Sequence, residues 1–111
     1  MNPIRLQLSR RRGFNLQKLS RDTNGLPAVN CARPSKFGNP HKVEDAMRNL
    51  HCDKAEAVRA CVRAFADWTK DKHASDFVKL VKKELRGKNL ACFCRADSPC
   101  HVNVLLKIAN S

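Results

Sequence analysis

Residues 88–106, K-N-L-A-C-F-C-R-A-D-S-P-C-H-V-N-V-L-L, carry three of the six cysteines and one of the four histidines within ten positions. Any fold this chain adopts must house that concentration of soft, titratable side chains. Leu90, Cys92 and Cys94 alternate onto one face and Ala91 and Phe93 onto the other, so residues 88–94 read as a buried strand. Ser98 is a good N-cap and Pro99 suits a first helical position. Val102, Leu105, Leu106 and Ala109 then recur at helical spacing as a buried stripe. The pattern predicts a strand, a brief turn and a helix over residues 99–109. Cys100 and His101 fall in its first turn, beside unpaired backbone N–H groups and the positive end of the dipole.

At 111 residues the chain is expected to form one domain, residues 1–111, with a core large enough to make disulfides unnecessary. No apolar run approaches a membrane span, and the first residues, M-N-P-I-R-L-Q-L-S-R-R-R, lack the apolar core of a signal peptide. The expected compartment is therefore the cytoplasm, with the cysteines as reduced thiols or metal ligands and no membrane partner. The 22 Lys and Arg against 10 Asp and Glu give a net charge of +12, which favours polyanions and equally serves as a solubilising surface. The excess is uneven: residues 5–36 hold eight basic side chains against the single acid Asp22. A nucleotide or nucleic acid partner follows as an expectation.

Ile4, Leu6 and Leu8 alternate with Arg5 and Gln7 as in a strand with one buried face. Residues 14–25 are polar and basic, and read as a long loop or a short helix ending near Asn24-Gly25. Residues 28–31 make a second short strand, which runs into A-R-P-S-K-F-G-N-P-H. That segment is rich in turn formers (Arg33-Pro34-Ser35 and Gly38-Asn39-Pro40) and in donors suited to a phosphate, without the spacing of an established phosphate loop. Residues 43–51 fit a short helix or an extended segment. Asp53 with Glu56 resembles a capping box opening a helix over residues 54–70, whose Val58, Cys61, Val62, Phe65 and Trp68 share one face. Ser75 is predicted to cap a helix over residues 75–86, with Phe77, Leu80, Val81 and Leu85 inward, and Gly87 ends it. On its outer side Lys79, Lys82, Lys83 and Arg86 form a basic stripe, an ordinary solvated face or a set of phosphate contacts.

Three chemistries fit Cys92, Cys94, Cys100 and His101. The first is a Cys₃His zinc site. Against it, C-x-C on an extended strand sets the thiols about 6 to 7 Å apart, and adjacent Cys100 and His101 on a helix diverge by about 100°. Zinc is thus possible without being favoured, and no metal or other cofactor is the preferred expectation. The second is a phosphate-binding pocket at the carboxyl end of the strand. There Arg33, Ser35, Lys36, Gly38, Asn39, Cys100 and His101 bind the ligand, and Cys100 (nucleophile) and His101 (base) are the candidate catalytic pair. The third is structural: the cysteines are core thiols and His101 packs or caps.

The N-terminal I-R-L-Q-L-S-R-R-R-G-F, the central A-R-P-S-K-F-G-N-P, and the C-terminal L-R-G-K-N-L-A-C-F-C followed by C-H-V-N-V-L-L resemble, in that order, the domain-of-unknown-function 4326 family of phages and bacteria. Phe14, Phe37 and Phe93 stand where members often have Trp, and His41 where an aromatic is usual. The resemblance implies that Arg33, Ser35, Gly38, Asn39, Cys92, Cys94, Cys100 and His101 belong to a shared pattern, and it brings no activity with it. The strand–C…C-H–helix arrangement is also distantly similar to other Rossmann-like domains.

The expected fold is a single small Rossmann-like α/β domain. A short, mainly parallel sheet is built from strands near 4–8, 28–31 and 88–94, flanked by helices near 54–70, 75–86 and 99–109. The expected function is binding of a phosphorylated, nucleotide-like small molecule between the R-P-S-K-F-G-N-P loop and the Cys100-His101 helix start, with catalysis left open. The alternative is a non-catalytic, basic nucleic-acid-binding module with a structural zinc on Cys92, Cys94, Cys100 and His101.

Overall fold

Three short runs of the chain pair into one parallel sheet: β1 (Arg5–Gln7), β2 (Ala28–Asn30) and β3 (Asn89–Cys92), in the order β1-β3-β2. The computed structural model describes residues 2–33, 35–95 and 97–111; Pro34, one of the turn formers named above, and Ala96 lie outside the described residues. Arg5 pairs with Leu90 and Gln7 with Cys92 on one side of β3, and Ala28 with Asn89 and Asn30 with Ala91 on the other. All four residues of β3 are buried, as expected of the centre of a parallel sheet covered on both faces.

Leu90 and Cys92 belong to the larger core, with Phe65, Val81, Leu85, Val102 and Leu105, while Ala91 packs with Leu6, Leu8 and Ala28 in a smaller one. The larger core is supplied by α3 (Lys54–Thr69), α4 (Ser75–Leu85) and α5 (His101–Ala109), the smaller in part by α1 (Leu16–Asn24). A further helix, α2 (Val43–Leu50), packs on α3 and buries none of its own residues. Among the described residues no helix is long and apolar enough to cross a membrane.

Local signals explain most boundaries. Residues 14–25 resolve into helix because Asn15 accepts a bond from the Lys18 N–H at the start and Gly25, at φ 79°, closes the end on the Arg21 carbonyl. The Asp53 carboxylate caps α3 on the Glu56 N–H. Ser75, by contrast, is the first residue of α4 and not its cap. A 3-10 turn over Lys72–Ala74, itself capped by Asp71 on the His73 N–H, runs directly into the helix. Trp68 packs against Phe65 and Phe77 as its spacing suggested, yet keeps 40 % of its surface exposed.

Two boundaries around the cysteines differ from the sequence expectation. β3 ends at Cys92 instead of Cys94, with residues 93 and 94 in a bend. The flanking strands stop supporting it there: the last rungs are Leu8 N–H to the Cys92 carbonyl (2.7 Å) and Cys31 N–H to the Ala91 carbonyl (2.8 Å). α5 begins at His101, with Cys100 as its extended N-cap (φ −149°, ψ 146°), so neither Ser98 nor Pro99 is part of the helix start. The Ser98 carbonyl instead accepts a bond from Arg5 (2.8 Å), and the Ser98 N–H closes a turn on the Arg95 carbonyl (3.0 Å).

The amino end of β3 carries a buried amide. Asn89 Oδ1 accepts from the Ile4 N–H and from Asn24 Nδ2 (both 3.0 Å), and Asn89 Nδ2 donates to Ser20 Oγ and Asn24 Oδ1 (both 2.7 Å). Its hydrogen-bonding capacity is thereby filled.

Candidate functional site

Past the carboxyl edge of the sheet, the turn after β2 and the connection from β3 to α5 face each other across a cleft of about 490 Å³, within the usual range for a small-molecule site. The parallel pairing of β2 with β3 makes this inevitable, since both segments leave the sheet at the same edge. Arg33 and Asn39 come from the first segment, Cys92, Cys94, Cys100 and His101 from the second, and Cys61 and Lys54 from α3.

The sulfur atoms of Cys92, Cys94 and Cys100 lie within 4.8 Å of one another, a cluster that could hold a metal ion. Cys92 Sγ and Cys100 Sγ are 2.9 Å apart. Cys92 and Cys100 are buried and Cys94 is half-buried, on the cleft side. Cys94 joins them because the chain bends after Cys92, and Cys100 because the N-cap backbone is extended.

His101 is held from three sides. Its Nε2–H donates to the Cys31 carbonyl (3.0 Å), its ring packs edge-on against Phe65 (5.4 Å between centroids), and Nδ1 lies 3.7 Å from Cys100 Sγ. A carbonyl oxygen only accepts, so the proton sits on Nε2 and the Nδ1 lone pair faces the thiol. Burial pushes the imidazole below its ordinary range, which keeps the ring neutral.

In the thiol cluster negative charge settles on Cys94. Hydrogen bonds from the Cys100 and Cys92 thiols hold it below the usual thiol range against the opposing effect of burial, with help from the positive charge of Arg5. Cys92 moves upward through its bonds to Cys100 and Cys94 and through burial. Cys100 is drawn down by Cys92, but its bond to Cys94 and its burial leave it raised. Burial also raises Cys61, and pushes Cys31, beneath the cluster, up to about 12.

The cleft is basic. Arg10, Arg33, Lys54, Arg95 and His41 line it, and among the described residues no Asp or Glu does. Arg10 also stacks its guanidinium over the Phe93 ring, 4.0 Å from the centroid, covering an aromatic that is 39 % exposed.

Of the ligand-binding residues named from sequence, Arg33, Asn39, Cys100 and His101 line the cleft, and Ser35, Lys36 and Gly38 do not. Ser35 Oγ accepts from the Phe37 N–H, and Lys36 reaches away to pair with Glu84 on α4 (2.8 Å). A Cβ on Gly38 would come within 2.7 Å of Arg33 Cγ, so Gly38 clears the path that the arginine takes. The Asn39 amide holds the fold, donating to the Cys61 carbonyl (3.1 Å) and accepting from the His41 N–H (2.9 Å).

Arg5 was missed. It spans to the carbonyls of Ser98 (2.8 Å) and Arg95 (3.0 Å), clamping the connection that carries Cys94 and Cys100. The available signal was the alternation of residues 4–8, which sets Arg5 opposite Leu6 and Leu8; in a sheet covered on both faces that side also meets protein.

A model of the family described as domain of unknown function (DUF4326) matches residues 14–111. Most of the N-terminal block, Arg5 included, lies before the match. No curated protein sequence and no solved structure matches the chain.

Proposed function

Because the chain belongs to the DUF4326 family, whose description assigns no activity, we propose a function from its own cleft: it binds a phosphate-bearing, nucleotide-like ligand between the residue 31–41 turn and the start of α5. The observation that carries this reading is the cleft wall: Arg10, Arg33, Lys54 and Arg95 line it and, among the described residues, no carboxylate does, although Asp97 beside the cleft pairs with Arg95 (3.6 Å). Arginine is suited to bidentate phosphate contacts. Calorimetric titration with AMP, ADP and adenosine tests the proposal. The phosphorylated ligands should bind and adenosine should not. Arg33→Ala should weaken AMP about tenfold, the scale of one charge-assisted contact. Equal binding of adenosine, or no binding of either nucleotide, overturns the reading.

A second reading, contact with a nucleic acid chain, rests on α4. Lys79, Lys82 and Lys83 are exposed there and form no ion pair among the described residues, while Arg86 is engaged with the carbonyls of Ala109 and Ser111. Binding of random single-stranded DNA that falls steeply with salt and weakens in a Lys79→Ala, Lys82→Ala, Lys83→Ala variant would favour it.

A further inference from the structure

We propose that Cys92, Cys94 and Cys100 bind one thiophilic divalent cation of the zinc class, with Nδ1 of His101 as the fourth donor. This inference does not rest on the anion reading: it uses the cysteines and His101 of the same cleft and none of its cationic side chains.

Both sequence objections to such a site depend on boundaries that the structure moves. Cys94 is off the strand, so the C-x-C pair is not held apart by strand geometry, and Cys100 is an extended N-cap, so it does not diverge from His101 as two adjacent helical residues would. The three sulfurs fall within 4.8 Å of each other. A tetrahedral zinc with bonds of about 2.3 Å to sulfur and 2.0 Å to nitrogen needs sulfurs about 3.8 Å apart and a sulfur–nitrogen separation of about 3.5 Å. Cys100 Sγ to His101 Nδ1 measures 3.7 Å, whereas the imidazole is outside the 4.8 Å cluster formed by the three sulfurs, so the ring moves toward Cys92 and Cys94 when it completes the shell. Cys92 and Cys100, at 2.9 Å, would open by about 0.9 Å to reach the tetrahedral edge, a shift that side-chain rotation supplies.

The surroundings match what metal ligands require. A ligating imidazole donates its other N–H to a fixed acceptor, and His101 Nε2 does so to the Cys31 carbonyl. Three sulfur donors and an imidazole select zinc-class cations over magnesium or calcium, which take oxygen. On binding, each thiol still protonated releases its proton to solvent as its S–metal bond forms, and no electron moves. Four protein donors close the coordination shell, so the role is structural. The Arg5 clamp and the larger core hold the connection independently, so the metal-free chain stays folded at lower stability.

The test is titration of the reduced, metal-free protein with Co²⁺, followed by thiolate-to-cobalt charge-transfer and tetrahedral ligand-field absorption. Expected are saturation at one equivalent, displacement by Zn²⁺, and a zinc K-edge absorption spectrum fitted by three sulfurs and one nitrogen. Cys94→Ser should weaken cobalt at least 100-fold, more than the loss of an outer-shell partner, and Cys61→Ser should leave it unchanged. A wild-type chain that takes up no cobalt overturns the site even if every variant fails to fold, as does Cys94→Ser binding like wild type. Oxygen in place of nitrogen overturns the part given to His101.

Discussion

At its amino end β3 carries Asn89, an uncharged amide with all its hydrogen bonds filled by Ile4, Asn24 and Ser20. At its carboxyl end, three residues on, it carries Cys92, whose main polar neighbours are two other thiols. Both ends are buried and polar, but they obey different economies of bonding. A saturated amide network is rigid and has nothing left to offer. Thiols are weak donors and acceptors, so a cluster of them satisfies itself poorly and retains capacity for a stronger partner. The contrast separates polar burial that specifies a fold from polar burial that waits for a ligand.

The largest expected effect lies within the thiol end. In reduced, metal-free protein at neutral pH, iodoacetamide should label Cys94 at least about 1,000-fold faster than Cys31. The thiolate is the reactive form: Cys94 is held below the usual thiol range and is half-buried, whereas Cys31 is buried and pushed up to about 12. The sign also fixes the pH response. As pH falls from 9 to 7 an ordinary thiol slows about 25-fold in all, and Cys94 should hold its rate; mass spectrometry of digests reads both. Labelling of the two at comparable rates would erase the distinction.

Next in size is Asn89→Ala. It strands the Ile4 N–H and the Asn24 and Ser20 side chains in a buried site, at a cost of about 3 kcal/mol from several unmet groups. Urea unfolding should show it. Arg5→Met acts at the other end, removing two hydrogen bonds to loop carbonyls for about 1 kcal/mol, and should raise hydrogen exchange in residues 93–100 while sparing Asn89. Equal loss of protection at both ends would mean that they are not separate units.

The smallest effect lies outside β3 and calibrates the others. Asp71, on the surface, is lowered by its bond from the His73 N–H and then by the His73 ring. A carboxylate lowered in the folded state adds stability above its unfolded pKa and loses it as pH falls through the folded value. Asp71→Asn should therefore reduce the melting temperature by about 1 °C at pH 7, with the difference vanishing in acid.

The order of strands and helices was readable because burial periodicity reports it directly: Leu6 and Leu8, Val81 and Leu85, Val102 and Leu105 all face inward as their spacing requires. The DUF4326 assignment was readable from its quoted blocks. The meeting of Arg33 with Cys100 and His101 in one cleft followed from parallel pairing alone. Less legible were the ends of elements at the site. Alternation carried the strand to Cys94 because nothing in the residue types marks where a partner strand runs out. Ser98 and Pro99 have the chemistry of a helix start, but Arg5, distant in sequence, holds the Ser98 carbonyl elsewhere. Asn89 carries no signal in the sequence, because a lone polar residue at a strand start looks like a turn and its three partners are distant in the chain or on another element.

The strand order has one more implication. β3 lies between β1 and β2 yet follows both in the chain, so no rung of the sheet forms until residues 89–92 have been made. Everything up to Gly87 can supply helices, but β1 and β2 wait unpaired for a wedge. Pairing, the cleft and the thiol cluster then depend on the same four-residue segment, and both strand pairings of the sheet are long-range in sequence, the kind of contact that is slow to form.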